Sequence, residues 1–141
     1  MNLLDKVIDF VIQEVGWDLL SDAGFRDKDT LTQYLAYQFI HGNLQWVINE
    51  DMEVTGAMVA YECDEDEAYR AFNWEEPTGK KCIFVAQVAA KDPESAKVLA
   101  FGFLDRFKDQ KTTICVRRGS YTTMKAHDIA KRMISTLEGA N

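Results

Sequence analysis

The sequence predicts a mixed α/β domain made of two amino-terminal helices, a β-hairpin and then a strand–helix–strand–helix unit. Three observations support this fold class. Two stretches in the first third of the chain space their apolar side chains with a helical period. Two short runs of strand-forming residues follow them. A nearly continuous apolar run over residues 81–90 then leads into a strong helix start at Asp92.

The first helix is predicted over residues 3–15, where Leu, Val and Ile side chains recur every three or four positions. Asn2 is a residue type that caps helix starts, and Gly16 is placed to end the helix. These signals together predict one amphipathic helix.

A second helix and a hairpin follow. After a polar stretch, Thr30 and Gln33 predict a capping box at the start of a helix that ends at Gly42. Residues 44–49 and 56–63 are rich in strand formers and are separated by a short polar segment. We therefore expect an antiparallel hairpin.

The second half of the chain predicts a parallel crossover. Residues 81–90 are apolar almost throughout, as expected for a central strand that is covered on both faces. Asp92 is placed to cap the next helix, and Pro93 suits its first position because its fixed φ matches a helix. A strand over residues 112–117 and a last helix over residues 122–137 complete the unit. A strand–helix–strand connection of this length is typically a parallel crossover.

Composition is typical of a single domain. With 141 residues, of which 47% are hydrophobic, we expect one domain over residues 1–141 with a core of its own. The sequence has neither an apolar run of about 20 residues nor the features of a signal peptide, so we expect a cytoplasmic protein without a membrane segment. Three cysteines lie far apart in apolar stretches and predict buried thiols rather than disulfides or a zinc site: Cys63, Cys82 and Cys115.

Charge is distributed unevenly along the chain. The net charge of −7 argues against direct nucleic-acid binding, which needs a basic footprint. Residues 1–76 hold 17 acidic and 4 basic side chains, whereas residues 77–141 hold 6 acidic and 12 basic ones. Either the two halves neutralise each other by packing together, or the basic half meets a phosphate-bearing ligand. The acidic segment 62–76 is either a solvated loop or a surface for another protein, which we expect as a partner.

Taken in order, these elements resemble the GNAT acyltransferase superfamily, and within it the RTX-toxin-activating lysine acyltransferases and phage-encoded GNAT-like proteins. Residues 45–51 (QWVINED) and 56–61 (GAMVAY) look like the hairpin of that branch. Residues 79–89 (GKKCIFVAQVA) resemble its central strand. Residues 98–107 (VLAFGFLDRF) and 114–118 (ICVRR) resemble its next helix and strand.

The resemblance implies a GNAT-like mixed sheet and the transfer of an acyl group from a thioester to an amine. In that family, the helix after the central strand presents its free N–H groups to the pyrophosphate of coenzyme A. This assigns Lys91, Ser95 and Ala96 to the cofactor, which would be acetyl-CoA or another acyl thioester, with no metal. It also assigns Tyr121 as the general acid for the departing thiolate. A phage-encoded relative would act in the host cytoplasm or the virion.

An alternative function is a catalytically inactive relative used as a protein-binding or virion-associated module. Residues 90–96 contain no glycine, and their two carboxylates, Asp92 and Glu94, repel a pyrophosphate. Ala86 stands where the toxin-activating branch has an aspartate, and we expect no closing strand pair after the last helix. Such a module would use the acidic segment 62–76 and the basic carboxyl-terminal half.

Other chemistry-bearing residues have simpler explanations. Cys115 and His127 include the side chains of a nucleophile and a base, but no spacing brings them together. The acidic segment 62–76 lacks the spacing of a calcium loop. Tyr121 is equally explained as a half-buried tyrosine at a helix start with its hydroxyl in water.

Overall fold

The computed structural model describes residues 2–63, 82–107, 112–117, 120–125, 128 and 130–133. Four helices and five strands lie within these ranges. In chain order they are α1 (Leu3–Val15), α2 (Trp17–Asp22), α3 (Lys28–Ile40), β1 (Leu44–Ile48), β2 (Val54–Cys63), β3 (Cys82–Ala90), α4 (Pro93–Arg106), β4 (Thr112–Arg117) and β5 (Ser120–Lys125). Residues 130–133 are also helical.

The five strands form one mixed sheet in the order β1-β2-β3-β4-β5. The pairs β1–β2, β2–β3 and β4–β5 are antiparallel, and β3–β4 is parallel. The mixed α/β class is confirmed, as are the hairpin, the central position of β3 and the parallel relation between the strands that flank α4. The prediction of a single domain over residues 1–141 stays a prediction.

The ends of α1 agree with the sequence. The side-chain oxygen of Asn2 accepts a hydrogen bond from the Asp5 amide at 2.8 Å. The amide of Gly16 donates to the carbonyl of Ile12 at 3.0 Å. Gly16 has φ +84°, a backbone conformation that favours glycine, and it lies between α1 and the short helix α2, which the sequence did not predict. Leu20 of α2 is fully buried, so packing stabilises this turn-and-a-half of helix where propensity alone gives no signal.

The predicted capping box at the start of α3 is wrong. The helix begins at Lys28, and Asp27 caps it. The Asp27 carboxylate accepts hydrogen bonds from both the amide and the hydroxyl of Thr30, each at 2.8 Å. Thr30 therefore donates hydrogen bonds to the cap and is not the cap itself. A charged carboxylate one turn earlier is the stronger acceptor for the helix amides.

The helix predicted over residues 122–137 is also wrong in its first part. Residues Ser120–Lys125 form β5, which pairs antiparallel with β4 from Arg117↔Ser120 to Thr112↔Lys125. Tyr121, Thr122 and Thr123 favour a strand, and an Arg-Gly dipeptide separates the two strands in the sequence. The expectation that no closing strand pair follows the last helix stays a prediction, because β5 precedes that helix and residues 134–141 lie outside the described residues. Helix is found only later, at residues 128 and 130–133.

Helices cover both faces of the sheet. On one face, α1, α2 and α3 bury a core that includes Ala57, Val59 and Phe84 from the strands. On the other face, α4 buries a second core with strand residues of the opposite parity, such as Met58 and Val85. The alternation of these side chains follows the period of two of a strand. The apolar run in β3 is therefore explained by cover on both faces, as the sequence indicated.

α4 lies close against the sheet at Gly56 in β2. A Cβ at this position would lie 3.1 Å from Cδ1 of Leu99 in α4 and 3.2 Å from Cγ2 of Val47 in β1. Both neighbours are apolar, and Leu99 is 1% exposed. Glycine therefore lets the middle of α4 lie close against β1 and β2.

The substitution Gly56→Ala should lower the free energy of unfolding by about 1–3 kcal/mol, because the added methyl group overfills this contact. The measurement is urea unfolding followed by circular dichroism. In a Leu99→Ala background, which removes the nearest atom, the cost of Gly56→Ala should be smaller. Equal costs in the two backgrounds would show that Gly56 does not set the distance between α4 and the sheet.

Asp27 should make the stability depend on pH. Hydrogen bonds from the Thr30 amide and hydroxyl hold the pKa of Asp27 below its usual 3.8. Because the folded pKa lies below the unfolded one, charged Asp27 stabilises the fold above the unfolded pKa, and this stabilisation is lost as the pH falls through the folded pKa. Asp27→Asn keeps a cap but does not titrate, so its melting temperature should fall less between pH 6 and pH 2. Asp18→Asn controls for the change in net charge, and identical profiles for all three proteins would contradict the assignment.

Candidate functional site

The central sheet opens between β3 and β4. These strands pair only at Ile83↔Thr113, Phe84↔Ile114 and Val85↔Cys115. β3 continues to Ala90 and stays paired with β2 over this stretch. On its other side, residues 86–90 have no strand partner in the described part of the chain. We call this opening the β3–β4 gap.

Backbone groups of β3 face the β3–β4 gap. The Lys91 amide donates to the carbonyl of Thr55 at 2.9 Å, so residue 91 turns toward the β2 side. The backbone N–H and C=O groups of successive residues point to alternate sides of a strand. Those of Ala89 therefore also point toward β2, whereas those of Val88 and Ala90 point toward the gap. The Val88 side chain is 38% exposed although it belongs to a central strand. The gap therefore offers a strand edge next to an uncovered apolar side chain.

Gln87 lies on the same segment of β3. Its side-chain oxygen is buried and has no hydrogen-bond partner among the residues that the structure describes. A buried acceptor without a partner costs free energy, since water satisfies it in the unfolded chain. This part of β3 therefore combines an open strand edge with an unsatisfied acceptor.

The start of α4 is already occupied by the chain's own groups. The Asp92 carboxylate accepts a hydrogen bond from the Ser95 amide at 2.7 Å. The Ala96 amide donates to the Asp92 carbonyl at 3.2 Å. The Lys91 amide donates to the Thr55 carbonyl. The backbone N–H groups of all three residues predicted to hold the cofactor are therefore engaged in hydrogen bonds within the protein. The helix start predicted from Asp92 and Pro93 is confirmed.

The side chain of Ser95 points into the protein. It is 4% exposed, and its hydroxyl donates to the Thr55 hydroxyl at 2.8 Å. Thr55 is likewise 4% exposed, and its hydroxyl lies 3.5 Å from the carbonyl of Val47. This chain of hydroxyls ties the first turn of α4 to β2 and β1. No local pattern in the sequence predicts the role of Thr55, because the contact joins residues 40 positions apart.

Lys91 is exposed and borders a cleft of about 360 Å³ beside α1 and the turn after β1. Lys6 crosses this cleft, and its ammonium group donates to the Met52 carbonyl at 3.3 Å. The lining is mixed in charge, with four carboxylates and two ammonium groups: Asp9, Glu14, Asp51, Glu53, Lys6 and Lys91. Lys91 is thus the one predicted cofactor residue with a side chain on an open surface.

Tyr121, the predicted general acid, lies in β5 and not at a helix start. It pairs with Val116 of β4, one residue beyond the point where β4 leaves β3 at Cys115. Its backbone is therefore level with the opening of the β3–β4 gap, on the far side of β4. No finding tests the catalytic role of Tyr121 or the cofactor roles of Lys91, Ser95 and Ala96.

Within the described residues, the remaining candidates do not form a site. Cys115 lies in β4 between Val85 and Thr122, and His127 lies outside the described residues. His41 caps the end of α3, where its ring is 4.2 Å from that of Tyr37. Residues 64–76 of the acidic segment 62–76 also lie outside the described residues. Among the residues that the structure describes, no three His, Cys, Asp or Glu side chains form a group that could hold a metal ion.

Comparisons with known proteins identify no relative. No protein-family model matches the chain, and neither a curated protein nor a solved structure is significantly similar to it. Within the described residues, no helix has the length and apolar character needed to cross a membrane. Functional inference therefore depends on the geometry of the chain itself.

The hydroxyl pair of Ser95 and Thr55 gives a prediction about the start of α4. Ser95→Ala or Thr55→Val alone should lower the free energy of unfolding by about 1–3 kcal/mol, because each leaves a buried hydroxyl without its partner. The double variant should lose less than the sum of the two, since both polar groups are then gone. Urea unfolding of the four proteins gives the coupling. Additive losses would mean that the two hydroxyls do not interact in solution.

Proposed function

We propose that this chain is a diverged GNAT-like domain that binds an acyl thioester in the β3–β4 gap. The observation that supports the proposal is the early end of the β3–β4 ladder at Val85↔Cys115, while β3 continues to Ala90. A parallel pair of central strands that separates before it ends is the feature by which the resembled family receives its thioester. The order of elements from β1 to β4 fits the same family.

The exposed edge of β3 suits the pantetheine arm of such a thioester. Pantetheine is a narrow chain with amide groups spaced along it, so it can pair with a strand edge much as a peptide does. Val88 and Ala90 direct their backbone groups toward this space, and the exposed Val88 side chain offers an apolar contact. We place the arm along residues 86–90, with its thioester toward the point where β3 and β4 meet.

The occupied start of α4 restricts the kind of donor. Asp92 fills the position that an anion takes at a helix start, and the exposed Glu94 adds a second negative charge. A pyrophosphate there would meet carboxylates instead of free amides. We therefore propose a donor whose affinity comes from the acyl-pantetheine arm, such as a carrier-linked thioester, with Lys91 as a nearby cation for its phosphate.

In the transfer itself, an amine nitrogen attacks the thioester carbonyl and the carbon–sulfur bond breaks. The departing thiolate takes a proton, which we assign to the Tyr121 hydroxyl, and the proton released by the amine restores the tyrosine through solvent. This assignment follows the resemblance and the position of Tyr121 level with the gap.

Amide hydrogen exchange measured by NMR tests the binding site. In the free protein, the amides of Val88 and Ala90 should exchange faster than the amide of Ala89, and acetyl-pantetheine should slow them. Acetyl-CoA should bind no more tightly than acetyl-pantetheine, because the start of α4 contributes nothing to the nucleotide. Replacement of Asp92 by serine, which keeps a cap but removes the charge, should selectively improve acetyl-CoA binding. The site is refuted if saturating thioester leaves Val88 and Ala90 unchanged.

Catalysis needs a separate measurement. Transfer from acetyl-pantetheine to an amine should be lost in Tyr121→Phe while binding is retained, and Tyr37→Phe on α3 serves as the matched control. If the native chain binds the thioester but transfers no acyl group, the chain is a catalytically inactive relative of the family.

The alternative, a non-catalytic protein-binding module, is favoured by one specific observation. The start of α4 is closed by its own cap, while the outer side of that helix exposes Val98 (54%) and Phe101 (64%). This function predicts no thioester binding. It also predicts association with a second protein that is abolished when the carboxylates of segment 62–76 are replaced by amides.

A further inference from the structure

We propose that the outer edge of β1 pairs with the same edge of a second copy of this chain, antiparallel and centred on Trp46. The surface is distinct from the β3–β4 gap, so this inference does not rest on the proposed function. It begins from the sheet order, in which β1 is an outermost strand. In the ranges that the structure describes, only β2 pairs with it.

Hydrogen bonds show which backbone groups of β1 face outward. The Ala60 amide donates to the Asn43 carbonyl at 3.1 Å, and the Asn49 amide donates to the Glu53 carbonyl at 2.9 Å. Odd-numbered residues of this strand therefore turn toward β2, since direction alternates along an antiparallel pair. The even-numbered residues turn their N–H and C=O groups to the outer edge: Leu44, Trp46 and Ile48.

The outer edge is complementary to itself. A two-fold axis at Trp46 places Leu44 opposite Ile48 of the second copy and Trp46 opposite Trp46, so each outward residue meets an outward residue. The bulge in this hairpin puts the extra residue, Thr55, in β2, so β1 itself stays regular. Residues 43–49 contain neither a charged side chain nor a proline, the usual protections of an edge strand.

The ends of β1 favour the antiparallel arrangement of two copies. Ile40 precedes Trp46 by six positions and is 78% exposed, and Met52 follows Trp46 by six positions and is 62% exposed. The two-fold axis places Ile40 of one copy at the end of the dimer that carries Met52 of the other, so both exposed apolar side chains lie at the same end of the joined strands. It also places the acidic turns, with Glu50 and Asp51, at opposite ends of the dimer, whereas a parallel pair would set them side by side.

Exposed apolar side chains flank the edge on both faces of the sheet. On one face, the Phe39 ring is 5.4 Å from that of Trp46 and is 42% exposed. On the other face, Gly102 of α4 lies against Gln45. Val98 lies four positions before Gly102 on the same face of that helix and is exposed. Pairing of two copies would therefore cover apolar surface above and below the joined strands.

Sedimentation velocity combined with amide exchange tests the proposal. With rising protein concentration, the mass should change from 16.1 kDa to twice that value. Over the same range the Trp46 and Ile48 amides should become protected, while those of Gln45 and Val47 stay protected throughout. Added salt should strengthen the dimer, because each chain carries a net charge of −7.

A charge placed at the strand end tests the geometry. Ile40→Glu puts a carboxylate beside the acidic turn of the second copy and should weaken the dimer by about tenfold or more. Leu19→Glu is the matched control, since Leu19 is 40% exposed on α2, and it should leave the dimer unchanged. The proposal is overturned by a monomer at all concentrations, which leaves the edge for a different partner. It is equally overturned by a dimer that does not protect Trp46, or by edge amides that are already protected in the monomer.

Discussion

The close contact between α4 and the sheet at Gly56 is the constraint on which much of this structure depends. Because a glycine stands there, Leu99 can reach the sheet and the first turn of α4 lies within hydrogen-bond distance of β2. The hydroxyls of Ser95 and Thr55 then meet, and the Lys91 amide reaches the Thr55 carbonyl. These contacts fix the direction in which the chain leaves β3 and hold α4 over β1, β2 and β3.

The same contacts explain why the start of α4 differs from an anion site. A helix start binds anions when its first amides are free and its surroundings carry no negative charge. Here a cap bond, a turn of helix and a strand carbonyl use the amides of Ser95, Ala96 and Lys91. The hydrogen bonds that hold α4 against the sheet therefore use the donors that a pyrophosphate would need. The open edge of β3 is the better candidate for contact with a ligand.

Local signals in the sequence predicted most elements, whereas contacts between distant residues escaped prediction. The residues that begin or end helices contact groups only a few positions away, so their roles can be predicted from residue type and spacing. These residues are Asn2, Gly16, Asp92 and Pro93. The hairpin β4–β5 was missed because residues 122–137 also space their apolar side chains as a helix does, and pairing with β4 outweighs that period in the first residues. Thr55 and the end of the β3–β4 ladder depend on tertiary packing, which has no local signature.

In the part of the chain that the structure describes, the β3–β4 gap and the outer edge of β1 are two unpaired edges of one sheet, and the same part of β2 supports both. Residues 56–59 pair with β1 on one side and with residues 87–90 of β3 on the other. With strands about 4.8 Å apart, β1 and β3 are separated by about 10 Å at this level. The backbone groups that face the gap belong to β3 and those that face outward belong to β1, so no residue serves both. A substitution at Ile40 or along the outer edge therefore leaves the gap intact, and the two surfaces can be altered one at a time.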